Sequence, residues 1–223
     1  MRNSIKTLSV FLCVCGQNLY AQSWTYYPLA NNNVNTIAID SKGNKWFGIS
    51  DGGAASFDGT NWVFYDTTNG LPNMDVQEIT IDTKDNVWFS TGVNLSKFDG
   101  KNWEYYNTKS GFPGFINSMT VDNQGNPWVT SGNSVSTYNG VNWIAYDTIS
   151  NDIAIDNKGN KWLGSQNGLS MFDGSKFAFY PFPDSMKNQF VWRIAIDSKN
   201  QVWFTTPVDG HYGLDLFDGK NWH

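Results

Sequence analysis

The chain has 223 residues, of which 16% are charged, 40% apolar and 16% aromatic, with 11 Trp and 21 Gly. Aromatic residues and glycines outnumber charges, which favours strands and tight turns and argues against a helical bundle, a coiled coil or a disordered chain. A formal net charge of −5 argues against a sequence-independent grip on nucleic acid or anionic lipid.

The N-terminus reads as a secretory signal peptide over residues 1–21. Arg2 and Lys6 precede a short apolar stretch, Leu8 to Cys15, and Leu19-Tyr20-Ala21 offers a small residue before a cut ahead of Gln22. The stretch is far shorter than the roughly 20 residues that cross a bilayer. Cys15 raises lipidation, but Val14 before it is bulkier than the small residue such processing uses. Residues 22–223 form a 202-residue mature chain with 13 basic and 20 acidic side chains, no Cys and no membrane span. Disulfides, a cysteine nucleophile and Cys-ligated zinc are thereby excluded from it.

The rest of the chain repeats. Trp24-Thr25-Tyr26-Tyr27 matches the fourth strand of the units that follow and stands without three strands before it, as an orphan outer strand over 24–27. Five units then run over approximately 34–66, 76–107, 116–147, 152–181 and 191–222. Each holds an Asp six residues before a Trp: Asp40 and Trp46, Asp82 and Trp88, Asp122 and Trp128, Asp156 and Trp162, Asp197 and Trp203. Each also holds an aromatic residue followed by Asp-Gly or Asn-Gly and, at an offset of five, a second aromatic: Phe57 and Trp62, Phe98 and Trp103, Tyr138 and Trp143, Phe172 and Phe177, Phe217 and Trp222. An apolar run such as Ile37-Ala38-Ile39 predicts the first strand, a Gly-containing turn follows, and Lys45-Trp46-Phe47-Gly48 predicts the second. Leu95-Ser96-Lys97-Phe98 predicts a third strand, Asp99-Gly100 a hairpin turn, and Trp103-Glu104-Tyr105-Tyr106 a fourth. Successive second-strand Trp residues lie 42, 40, 34 and 41 apart. A period near 40 with four strands per unit predicts an all-β fold, a β-propeller of about five four-stranded blades.

Gly70-Leu71-Pro72-Asn73, Ile79-Thr80-Ile81-Asp82, Gly43-Asn44-Lys45-Trp46-Phe47-Gly48 and Phe98-Asp99-Gly100 resemble the two-component regulator propeller repeat, over essentially all of residues 24–222. The resemblance implies an extracellular or periplasmic protein of Bacteroidetes-like bacteria, whose blades often form the sensing part of hybrid histidine kinases. Similar chains are also secreted without a kinase. Here no second apolar span, kinase or receiver region is found, so signalling by this chain alone is not expected. Two arrangements stay open at the C-terminus. Either five blades close and the last three residues are a stub, or the chain is the front of a six- to eight-bladed propeller. The stop at His223, inside a motif, favours the second.

Ten of the eleven Trp occupy the two repeat positions and are expected between neighbouring sheets; Trp192 alone is out of register. The Asp-x-x-Gly-Asn segments lack the alternating carboxylates and closing Glu of an EF-hand, so each Asp is expected to bond its own turn. These segments also faintly resemble the structural Asp-box turns of sialidases. No metal and no cofactor are expected.

In a four-stranded blade the second-to-third and fourth-to-first loops share one face, and here these loops vary, which makes that face the candidate surface. Thr206 to Gly213 forms the most unusual loop: Trp203 to Phe217 spans 14 residues where the other units use 10 or 11. The candidate ligand-binding residues are Trp192, Arg193, Asp209, His211, Tyr212, Asp51, Glu78, Phe112 and Phe115. Asp152 could ring the same face. Alternatively Trp192 and Tyr212 cover the end of the core and His211 is solvated.

His211 alone gives no Ser/His/Asp triad, and no Gly-x-Ser-x-Gly elbow precedes it. Facing carboxylates among Asp51, Asp75, Glu78, Asp152 and Asp209 could serve a glycosidase, and streptogramin lyases are similar Trp- and Gly-rich propellers. The expected function is nonetheless a secreted or periplasmic ligand-binding or sensing module without catalysis, recognising a glycan or peptide by stacking and hydrogen bonds. The alternative is a scaffold for a partner protein of secretion or signalling.

Overall fold

The computed structural model describes residues 33–132, 134–187, 189–208 and 211–223. The expected signal peptide and the orphan strand 24–27 lie outside the described residues.

Among the described residues, nineteen strands form five antiparallel sheets in chain order, each a simple meander. Blade 1 holds β1 (Val34–Ile39), β2 (Lys45–Ile49), β3 (Gly53–Phe57) and β4 (Trp62–Tyr65). Blade 2 holds β5 (Glu78–Ile81), β6 (Val87–Ser90), β7 (Leu95–Phe98) and β8 (Trp103–Tyr106). Blade 3 holds β9 (Ser118–Val121), β10 (Pro127–Ser131), β11 (Ser134–Tyr138) and β12 (Trp143–Tyr146). Blade 4 holds β13 (Asp152–Ile155), β14 (Lys161–Ser165), β15 (Gly168–Phe172) and β16 (Phe177–Pro181). Blade 5 has three strands, β17 (Arg193–Ile196), β18 (Val202–Val208) and β19 (His211–Phe217). Trp222 bridges back to Phe217, and Leu216 and His223 exchange backbone bonds of 2.8 Å, so a fourth strand begins there.

The six-residue offset between Asp and Trp has a local cause. Asp40 Oδ1 accepts the backbone N–H groups of Lys42 and Asn44 at 3.0 and 2.9 Å, while Oδ2 accepts the Asn44 amide and the Trp46 indole N–H at 2.7 and 3.3 Å. The carboxylate therefore closes its turn and fixes the ring on the next strand. The same indole bond recurs at Trp88, Trp128, Trp162 and Trp203, between 3.0 and 3.3 Å. Burial of Asp40 works against ionisation, but the bonds from Asn44 and Trp46 outweigh it and lower its pKa. The third-to-fourth turns use the same device: Asp99 accepts the backbone N–H groups of Asn102 and Lys101 at 2.6 and 2.8 Å. The Asn102 backbone bond leads in bringing its pKa down to about 2.

Gly43, Gly125 and Gly159 occupy the left-handed position of the first-to-second turn, each with φ +84°. Asp85 and Asn200 take that position in blades 2 and 5, both at φ +62°. Their side chains reach the preceding blade. Asp85 accepts the Ser41 backbone N–H at 2.9 Å and its hydroxyl at 2.6 Å, and Asn200 accepts the Asn157 N–H at 2.8 Å.

First strands pack side by side in the order β1, β5, β9, β13, β17, and apolar residues fill the space between neighbouring blades. Trp46, Ala54, Leu71 and Val76 meet Ile79, Val87, Phe89 and Phe98 between blades 1 and 2. Trp88, Trp128 and Trp162 play the part of Trp46 at the next three junctions and are buried, as expected of in-register Trp. Trp203 is only half-buried. Leu214, 67% exposed, stands where Leu95 and Leu169 are fully covered, and on blade 1 Ile37 is 61% exposed where Ile79 and Ile153 are buried. Each of the four internal junctions covers one such face from each side; the outward faces of blades 1 and 5 keep the same apolar residues exposed.

Candidate functional site at the mouth between first strands

One residue before the position of Ile79, the five first strands carry Thr36, Glu78, Ser118, Asp152 and Arg193, the last four of which open their strands. Three of these side chains accept a backbone N–H from the next first strand. Thr36 accepts from Ile79 at 3.4 Å, Glu78 from Met119 at 2.6 Å and Asp152 from Ile194 at 2.7 Å. One residue earlier stand Asn35, Gln77, Asn117, Asn151 and Trp192. The Asn35 and Asn151 amides donate to Val76 and Val191 carbonyls at 3.0 and 3.2 Å, tying the entry of each following blade.

A cavity of about 300 Å³ opens at this end, contributed by blades 2 to 5 and the segments entering them. Gln77, Asn117 and Asn151 give it amides, Glu78 and Arg193 charges, and Phe115 and Trp192 rings. Phe115 is 56% and Trp192 45% exposed, and Trp192 meets Phe190 edge to face at 5.7 Å. The Arg193 guanidinium lies 3.8 Å from Glu78 and 3.9 Å from Asp152. Burial pushes the Glu78 carboxyl up to about 7; the Met119 N–H and Arg193 pull against that rise, and Asp152 adds to it.

Four of the nine residues expected on the candidate surface, Glu78, Phe115, Trp192 and Arg193, line this cavity. Asp51 is exposed in the second-to-third turn of blade 1, at φ +53°, and does not line it. Phe112 is a correction: it is 3% exposed and packs edge to face on Trp143 at 5.1 Å inside the junction of blades 2 and 3. The turn before it explains this, since Phe112 N–H donates to Asn107 and carries the side chain inward. The expected loop over 206–213 is a second correction. Its extra length lies in two seven-residue strands, with Pro207 opposite Tyr212 and Val208 opposite His211. Asp209 and the side chains of His211 and Tyr212 lie outside the described residues. Asp75 is engaged by Ser50 and Gln77 at 3.2 and 3.3 Å, and Asp152 by the Ile153 and Ile194 backbone. Sequence reasoning missed Gln77, Asn117 and Asn151. Their signal was an Asn or Gln two residues before the apolar run, in the four units ahead of Trp192.

No protein-family description matches the sequence, and no curated protein matches it. Solved structures do. The extracellular domain of the hybrid two-component system BT3049 of B. thetaiotaomicron superimposes with a TM-score of 0.71 at 19% identity, over 91% of this chain and 30% of that one. Virginiamycin B lyase of Staphylococcus aureus, solved with quinupristin, gives 0.65 at 14% identity over 84% of this chain and 70% of the lyase. PorZ, a surface component of the type-IX secretion system of Porphyromonas gingivalis, gives 0.60 at 17% identity over 77% and 30%. The fold is a β-propeller array. The chain spans less than a third of the BT3049 domain and of PorZ. Within this propeller array, the departures from the axial pattern of amides and hydrogen-bond acceptors fall together at Trp192 and Arg193, in the wall of the cavity.

Proposed function

We propose that the chain is an exported ligand-binding or sensing module that takes a glycan or a peptide at the mouth between its first strands. One observation carries this: a cavity of about 300 Å³ joins side-chain amides, an arginine and two exposed rings from four different blades. Amides and Arg supply directional hydrogen bonds, and Trp192 and Phe115 supply stacking area. The reading is one of binding without chemistry, supported by Asp152, which gives both oxygens to backbone N–H groups, of Ile153 and Ile194, and by Glu78, which gives Oε2 to that of Met119. Likeness to extracellular sensor domains supports export, as does the N-terminal pattern of Arg2, Lys6 and the apolar stretch after them.

The test is a glycan and peptide array probed with the purified chain, wild type and Trp192→Ala. Binding that disappears in the variant supports the reading, and an array hit retained at full strength by Trp192→Ala refutes this site. A second reading, a scaffold for a partner protein, draws on the likeness to PorZ and on the exposed rings of Phe64, Tyr105 and Phe179 on the outer strands. A stoichiometric co-purifying protein, released by Phe179→Asp and not by Trp192→Ala, favours that reading.

A further inference from the structure

Arg193 differs in kind from the residues at its position in the other blades. Thr36, Glu78 and Asp152 each accept the backbone N–H of the next first strand and Ser118 bonds the Glu78 side chain, whereas β17 has no further first strand after it among the described residues and a guanidinium can only donate. Arg193 is also uncommitted in hydrogen bonding: it stands 3.8 and 3.9 Å from Glu78 and Asp152, beyond hydrogen-bond length, and its guanidinium makes no hydrogen bond among the described residues. Its side chain is 55% exposed while the two carboxylates lie deeper. An entering ligand therefore meets the cation first, with the carboxylates below already held by backbone N–H groups.

We infer that Arg193 is the anchor for a carboxylate on the ligand, gripped through the guanidinium fork, with the body of the ligand lying against Trp192 and Phe115. The inference rests on the binding-module reading above and narrows its ligand to an acid. A planar fork of N–H donors matches a carboxylate in two parallel bonds, which a lysine cannot reproduce. The charged groups facing the bound acid are Glu78 from β5, Asp152 from β13 and Arg193 itself from β17; the amides of Gln77, Asn117 and Asn151 line the same cavity uncharged. A ligand carboxylate next to Glu78 favours the protonated form of that residue, whose pKa of about 7 is set by burial. Acid binding is then coupled to proton uptake and strengthens as pH falls from 8 to 6.

Calorimetry on the full chain tests this with two matched pairs: trigalacturonate against its methyl ester, and the tripeptide Gly-Gly-Phe against its amide. The pairs separate a saccharide source of the carboxylate from a peptide source. The acid of at least one pair is expected to bind and its neutral partner not to. Arg193→Gln should weaken that binding about tenfold or more, with Arg193→Lys in between. Affinity for the acid is expected to be about fivefold higher at pH 6 than at pH 8, if the bound carboxylate raises Glu78 by one further unit. Arg193 is half exposed, so both variants should keep the wild-type melting temperature. Equal binding of acid and neutral forms, wild-type affinity in a folded Arg193→Gln, or no binding by either acid overturns the inference. A neutral ligand found on the array and lost in Trp192→Ala would leave the module reading standing while this one falls.

Discussion

Replacing Glu78 by Gln isolates the cost of a carboxylate held at the junction of blades 2 and 3. Burial lifts its pKa from 4.5 to about 7, so the native state binds the proton more tightly than the unfolded chain. The sign follows from linkage: wild-type stability falls as pH rises from about 4.5 and levels off above about 7. A shift of this size amounts to roughly 3 kcal/mol, of which about 2 kcal/mol is lost between pH 5 and pH 8. Glu78→Gln keeps a carbonyl oxygen to accept the Met119 N–H and carries no titrating group. Urea unfolding followed by Trp fluorescence at pH 5, 6, 7 and 8, at constant ionic strength, should show the variant gaining about 2 kcal/mol on wild type across that range. Other titrating groups are common to both proteins and cancel in the difference. Parallel stability curves would refute the burial argument.

Trp88→Ala removes a ring stacked on Tyr106 and enclosed by Met119 and Val129, and should cost about 3–5 kcal/mol in urea unfolding; an unchanged midpoint would take Trp88 out of the core. Gly53→Ala places a Cβ 2.2 Å from the Tyr65 carbonyl oxygen at φ +76°, whereas Gly43→Ala meets open space at φ +84°. The first should lower the melting temperature well beyond the second, and equal shifts would mean that φ alone decides. Asp85→Gly relieves a left-handed aspartate but gives up both bonds to Ser41, so a lower melting temperature is expected and a higher one would show strain to dominate. Asp99 and Asp173 are held near pKa 2 by backbone bonds from Asn102 and Lys176 in the lead. Their contribution, complete above the unfolded value of about 3.9, is lost as pH falls through about 2. Circular dichroism should show acid unfolding begin between those limits, and an Asp99→Asn, Asp173→Asn double variant that still unfolds over the same range with the same amplitude would contradict this.

Most of the fold was legible because its signals are local. Asp and Trp six apart describe one hairpin, where a single carboxylate serves turn and ring together. The site was legible only where a residue broke the pattern, as Trp192 and Arg193 do. Phe112 misled because it sits in a variable segment yet plugs a junction, and nothing local distinguishes a ring that turns inward. The 206–213 segment read as a loop from its extra length, which longer strands take up instead. β17 pairs with β18 only as far as Thr205, so Pro207 has a single partner strand and its missing N–H breaks no ladder. The amides of Gln77, Asn117 and Asn151 went unread because one polar residue before an apolar run signals an axial position only once neighbouring blades are superimposed.

The ties between blades are unevenly shared, and this sets where the array yields. Blades 1 and 2 are joined by Asp85 to Ser41, Thr36 to Ile79 and Asn35 to Val76, and blades 4 and 5 by Asn200 to Asn157, Asp152 to Ile194 and Asn151 to Val191. Blade 3 has glycine, Gly125, at the position that reaches back, and so has blade 4, with Gly159. Polar side-chain ties at those junctions come down to Glu78 with Met119 and Ser118 on one side, and to Thr130 on Asn151 and Lys161 over the Trp128 ring on the other, among the described residues. In an array whose stability adds by nearest neighbours, strain or heat would part the molecule at blade 3 and leave two bound pairs. The cavity draws its wall from both sides of that seam, so a ligand seated there would act as a brace across the most compliant joint.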